Sequence, residues 1–178
     1  MSKKNKFVFI GLQIIAWIIF VGLCIEAGGL ITNFVFSLYR PEFVQNLYQK
    51  LDLSEMYNYS KWAFFMIYSF ILTISILKAV LFYVVILLVS KIDLSKPFNS
   101  FVSNQILYIS YFTFSIGLIS YIGQNSYKDL PHRELITDNL DPFWADSQAF
   151  ILMAAIVYII AIIFKKGIEI QNENDLTV

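Results

Sequence analysis

The sequence predicts an all-α fold, an integral membrane four-helix bundle with a short interfacial helix in the first outer loop. Three observations point there. Of 178 residues, 58% are hydrophobic and 15% charged, against about 45–50% and about 25% in ordinary soluble domains. The mean hydropathy is +0.65. The apolar residues are also not scattered but fall into blocks at 7–25, 62–89, 106–123 and 149–164. A bilayer core about 30 Å thick needs about 20 helical residues, so each block is long enough or nearly so. Four such blocks in a chain this short leave too little polar sequence to cover them in water.

The same composition excludes several function classes. Lys plus Arg and Asp plus Glu are both 13, so formal net charge is zero. That balance excludes a basic nucleic-acid-binding domain, and the reading carries no direct nucleic-acid contact. One cysteine, Cys24, excludes an internal disulfide, and one histidine, His132, excludes a multi-histidine metal cage. No metalloprotease, nucleophile-elbow or phosphate-loop motif is present, so the chain reads as a non-enzyme without cofactor or metal. No linker or internal repeat divides it, and 1–178 reads as a single membrane domain.

The first helix spans about 7–31. Lys3, Lys4 and Lys6 precede an apolar run longer than the roughly 7–15 residues of a signal h-region, and no A-x-A site follows. The run reads as an uncleaved anchor. The outer loop 32–61 then starts a helix pattern at Pro41. Phe43, Val44, Leu47, Tyr48 and Leu51 form one stripe, with Glu42, Gln45, Asn46, Gln49 and Lys50 largely opposite. That stripe is either an interfacial helix that receives lipid or a partner, or a cap on the bundle. Tyr39, Tyr57, Tyr59 and Trp62 beside it are aromatics of the headgroup layer.

The second helix spans about 62–89. A short connection follows, in which Lys96-Pro97-Phe98 reads as a turn and Ser95 or Asn99 as the cap of the next helix. The third helix spans about 103–123. Loop 124–148 is acidic, with Asp129, Glu134, Asp138, Asp141 and Asp146 against Lys128 and Arg133. It lacks a calcium-loop pattern, so it reads as a solvated face. The fourth helix spans about 143–166, with Phe143, Trp144 and Ala145 as its first turn at the interface, and leaves a tail of 167–178. Lys91, Lys96, Lys165 and Lys166 join the N-terminal lysines close to helix ends. By the positive-inside rule both termini are then cytoplasmic.

Two ionisable residues fall inside the spans, Glu26 and Lys78. Such residues mark function by default. From helical rise, with the helix ends level, the two differ by roughly 12 Å in depth. Each side chain leans toward the N-terminus of its own helix, which sends them toward each other. Pairing stays open. A central Lys costs about +2.5–3.5 kcal/mol on insertion scales, so snorkelling, a buried partner and a transport role compete. Gln13, Ser69, Thr73 and Ser75 are neutral candidates for that partner or for interhelical hydrogen bonds.

The tail reads K-K-G-I-E-I-Q-N-E-N-D-L-T-V from Lys165 to Val178. This run resembles the C-terminal signature of a bacterial membrane family catalogued as domain of unknown function 2975. The Lys96-Pro97-Phe98 turn is similar to that family's second landmark, and 150–164 to its last helix. The resemblance covers 62–178 well and the N-terminal third by layout alone. It implies a four-helix protein of the bacterial cytoplasmic membrane with no established activity. It also implies a partner, because members are often encoded beside a small helix-turn-helix regulator of the Cro/CI type. It supplies no catalytic residues.

Two readings of the tail stand level. Glu169, Gln171, Glu173 and Asp175, with Lys96, Pro97 and Phe98, form a docking face for such a regulator. Alternatively, Lys165 and Lys166 anchor the last helix and the rest is a helical extension packed near the Lys96-Pro97-Phe98 turn. The resulting expectation is a non-enzymatic regulatory or interaction protein in the lipid bilayer, with a second copy of the chain as a further candidate partner. The alternative is a small transporter or a small-molecule or lipid binder built on Lys78 and Glu26.

Overall fold

The computed structural model describes residues 3–92, 98–130 and 140–176, with side chains from 7 to 173 within them. These residues form five α-helices and no strand. They are α1 (Lys3–Tyr39), α2 (Ser54–Tyr59), α3 (Lys61–Lys91), α4 (Ser100–Lys128) and α5 (Ser147–Leu176). Four of them are long and apolar enough to cross a membrane. The all-α four-helix architecture is the one the sequence predicts, and the chain is a multi-pass membrane protein.

The helices are longer than the apolar blocks, for local reasons. α1 runs to Tyr39 instead of ending near 31. Gly28-Gly29 does not stop it, because no described glycine takes a positive φ, and breaking a helix among lipid leaves backbone groups unpaired. Pro41 stops it instead. Arg40 is extended (φ −138°, ψ 98°), as the residue before a proline prefers. α3 begins at Ser60, whose hydroxyl accepts from the Ala63 amide. α4 begins at Asn99, whose side chain accepts from the Val102 amide at 2.9 Å. Of the two cap candidates in the sequence, Asn99 is thus the one used; Ser95 lies outside the described residues.

The connection from Arg40 to Ser60 differs from a continuous interfacial helix on the Phe43–Leu51 stripe. Pro41–Gln45 and Tyr48–Lys50 are 3-10 turns, and the α-helix proper is the six-residue α2 further on. Gln49 and Lys50 both take left-handed φ, 60° and 62°, at roughly 1–2 kcal/mol each. The reversal lets the Leu47 amide bond the Leu51 carbonyl at 2.9 Å and the Leu53 amide bond Val44 at 3.1 Å. Val44, Leu47, Leu51 and Leu53 are buried as a result. The apolar stripe is spent on a cap over the helix ends.

A second cap comes from residues 140–146. Phe143, Trp144 and Ala145 are not the first turn of α5 but a buried plug, with Asp141–Phe143 a 3-10 turn led by Pro142. α5 starts only at Ser147, where Asp146 accepts from the Ala149 amide. Trp144 lies where a Cβ on Gly123 of α4 would be, 2.6 Å from its ring. Tyr39, Tyr59 and Trp62 stay exposed, as headgroup aromatics do, whereas Tyr57 joins the core.

α1 packs on α3, α3 on α4 and α4 on α5, in chain order. Each contact is antiparallel. Gln13 meets Ser90 and Leu30 meets Tyr68 across α1 and α3. Ser103 meets Ala161 and Ser110 meets Ala154 across α4 and α5. The start of α1 and the end of α5 therefore share one end of the molecule. The main core lies at the opposite end, under the two caps, and a smaller cluster of Val102, Ile106 and Ala161 lies at the end with the termini.

Candidate functional site

Within the membrane, the geometry separates the two charges from each other chemically but brings them closer in depth. The hydroxyl of Ser75 on α3 donates to the Glu26 carboxylate on α1 at 3.4 Å. Ser75 is about one turn nearer the capped end than Lys78, so Glu26 and Lys78 lie within roughly 5 Å in depth. The 12 Å expectation assumed Phe7 and Val89 to be level. Gln13, whose amide donates to Ser90 at 3.1 Å, shows instead that Phe7 lies about 9 Å beyond Ser90 toward the end with the termini. Lys78 is half-buried and forms no ion pair or hydrogen bond among the described residues. Glu26 and Lys78 therefore do not pair.

The neutral candidates sort cleanly. Ser75 and Gln13 bridge helices. Ser69 donates to Phe65 and Thr73 to Ser69, each four residues back in its own helix. A shallow groove of about 400 Å³ runs between α1 and α3, lined by Cys24, Ala27, Gly28 and Ile31 against Ile76, Ala79, Val80 and Tyr83, with Phe20. Neither Glu26 nor Lys78 lines it. Its walls are apolar, as lipid-facing helix grooves are.

The tightest contact in the molecule is the α4–α5 seam. Ser110 donates to the Ala154 carbonyl at 2.9 Å, Ser120 to Ala145 at 2.6 Å and Ser103 to Ala161 at 3.5 Å. Gln124 adds a second bond to Ala145 at 3.4 Å. Hydroxyls can reach a neighbouring helix's carbonyls only when backbones come close, and small residues permit it. Ser103, Ser110 and Gly117 on α4 face Ser147, Ala154 and Ala161 on α5, all of them buried. The heptad spacing of these small residues was the available sequence signal, hidden because serines in an apolar block read as isolated polar residues.

At the end with the termini, the fold brings together the two segments that the tail argument singled out. The Phe98 ring lies 5.3 Å from that of Phe164. A Cβ on Gly167 would meet Phe98 at 2.6 Å. α5 continues without a break through Leu176, so the residues after Lys166 are a helical extension resting on Phe98. Lys96 and Pro97 lie outside the described residues. Lys166 is ion-paired with Glu169, which removes one carboxylate from the acidic strip. Gln171 is half-buried, Glu173 is exposed and within electrostatic reach of Lys166, and Asp175 is in the last turn, beyond the described side chains.

Beside this contact a pocket of about 360 Å³ opens between α4 and α5. Ser100, Asn104, Lys165 and Glu169 line the part nearer the termini, and Leu107, Ile162, Tyr111 and Tyr158 follow along the two helices. Of the acidic loop, His132, Arg133, Glu134 and Asp138 lie outside the described residues. Among the described ones, no three His, Cys, Asp or Glu side chains gather as a metal site. Comparison of the chain with known protein families, with curated proteins and with solved structures finds no match.

Proposed function

We propose that this chain is a non-enzymatic membrane protein that holds a soluble, basic partner at its cytoplasmic face, a small helix-turn-helix regulator being the class to which the tail resemblance points. The reading takes the termini to be cytoplasmic and the membrane to be the bacterial inner one. The observation that carries it is the α5 extension: a helix continuing about ten residues, or roughly 15 Å, past Lys166. Such a helix has no task within a bilayer. Its base is fixed by Phe98 against Phe164 and Gly167, so it projects from a set position instead of trailing as a loose end.

The exposed side chains suit the role. Glu169 and Glu173 stand beside exposed Ile170, an apolar contact flanked by acids. Electrostatic complementarity with a DNA-binding protein's basic surface supplies rate and selectivity more than raw affinity. The Lys166–Glu169 pair is solvent-exposed and therefore worth little, so a partner's arginine can replace Lys166 at small cost. The test is co-purification of a helix-turn-helix regulator with the full chain from native membranes. Deleting 168–178 should abolish recovery of that regulator while membrane insertion stays intact, and undiminished recovery overturns the reading.

A further inference from the structure

The pocket between α4 and α5 has its own chemistry, independent of the tail's partner. We propose that it seats an anionic phospholipid, with the headgroup phosphate at Lys165, Ser100 and Asn104 and the start of the acyl chains along Leu107 and Ile162. Charge decides the sign of the ligand. Glu169 also lines the pocket, but Lys166 neutralises it in an ion pair. Lys165 makes no ion pair or hydrogen bond among the described residues and stands within electrostatic reach of Glu169, so two ammonium groups, Lys165 and Lys166, face the one lining carboxylate. Ser100 and Asn104 have no side-chain hydrogen bond among the described residues, and their polar groups are available to phosphate oxygens. Ser100 also sits in the first turn of α4, where exposed amides and the helix dipole favour an anion as an added contribution.

Shape decides between a lipid and a free anion. From Ser100 to Tyr111 the pocket descends about 16 Å along α4. That exceeds the headgroup layer of roughly 5–7 Å per leaflet and enters the hydrocarbon. Polar groups lie at the mouth and apolar ones below, the order of a phospholipid. Tyr111 leans toward the N-terminus of α4, hence toward the mouth. Asn104, Tyr111, Tyr158, Ile162 and Lys165 are all exposed, so the pocket is open sideways and a lipid enters from the bilayer. Inorganic phosphate would leave the Leu107–Ile162 wall unused.

The experiment uses the full chain in neutral maltoside detergent. Native mass spectrometry counts retained dioleoyl phosphatidylglycerol against dioleoyl phosphatidylcholine, with inorganic phosphate as competitor. One phosphatidylglycerol should be retained about fivefold better than phosphatidylcholine, the effect of one interfacial lysine. Lys165→Gln should erase that preference, and Lys61→Gln, at the other end of the molecule, should keep it. Leu107→Trp fills the apolar wall without changing charge and should reduce retention of both lipids, which decides the matter if Lys165→Gln fails to fold. Equal retention of the two lipids, a preference that survives Lys165→Gln, or undiminished retention by Leu107→Trp overturns the proposal. Displacement of the lipid by millimolar phosphate would identify a free-anion site and overturns it too.

Discussion

Single residues set how closely the helices approach, and Gly117 shows it best. A Cβ there would meet the Ile151 side chain at 2.9 Å and, less forgivingly, the Ile151 backbone nitrogen at 3.1 Å. Gly117→Leu should therefore splay α4 from α5 and cost about 1–3 kcal/mol by overpacking. Gly11→Leu, at a glycine with nothing within 4 Å, should cost far less. Thermal unfolding in detergent checks both, and equal transitions for the two variants would show that the seam is not close-packed. At this scale the sequence was legible for residue type and not for partnership. Glu26 and Lys78 stand out because charges are rare in spans, yet their partners depend on register. The six-residue offset of Gln13 from Phe7, opposite Ser90, is a property of how α1 and α3 pack. No local pattern encodes that offset.

Secondary-structure elements were legible in number and order, and less so in extent. Hydrophobicity marks the part of a helix that needs lipid, whereas caps and proline mark where the helix ends. Pro41, Asn99 and Asp146 therefore settled boundaries that the apolar blocks left several residues short or misplaced. The Phe43–Leu51 stripe was legible as a cap on the bundle, and its backbone was not, for a related reason. Its apolar spacing is equally satisfied by two 3-10 turns and a left-handed reversal, which bury Val44, Leu47 and Leu51 more fully. The tail is the element with a consequence to test. Phe98 is 40% exposed, so its contact with Phe164 and Gly167 is worth about half of a fully buried ring, on the order of 1–1.5 kcal/mol. Phe98→Ala should raise amide exchange at 167–176 by roughly tenfold and leave the α4–α5 seam protected. Unchanged exchange would mean that the extension is held by something other than this ring.

The whole molecule is a row of helices in chain order, and that arrangement dictates what surrounds it. Within its apolar stretch, α1 buries 6% of residues and α5 17%, against 33% for α3 and α4. The two outer helices thus expose their isoleucines on most sides, Ile18 at 67% and Ile159 at 58% among them. In water such a surface would be untenable, and in lipid it is the ordinary state of an outer helix. The two environments predict opposite effects for one substitution. Ile18→Lys removes an exposed apolar side chain, which in water would help solubility and cost almost nothing. In a bilayer it replaces a residue worth about −0.5 kcal/mol with one costing about +3 kcal/mol near mid-span. A loss of that size lowers insertion of α1, which packs on α3 and the outer-loop cap, and leaves Gln13, Glu26 and Leu30 without their helical partners. Glycosylation mapping after insertion into microsomes measures the outcome for each helix directly. With Ile18→Lys the insertion efficiency of α1 should fall, and Ile159→Lys should do the same for α5. Ala16→Lys, at a position buried against the rest of the molecule, should fail by the additional route of a broken helix contact. Undiminished insertion of α1 with Ile18→Lys would mean that the exposed face of α1 meets protein instead of lipid, as it would if a second copy of the chain covered it.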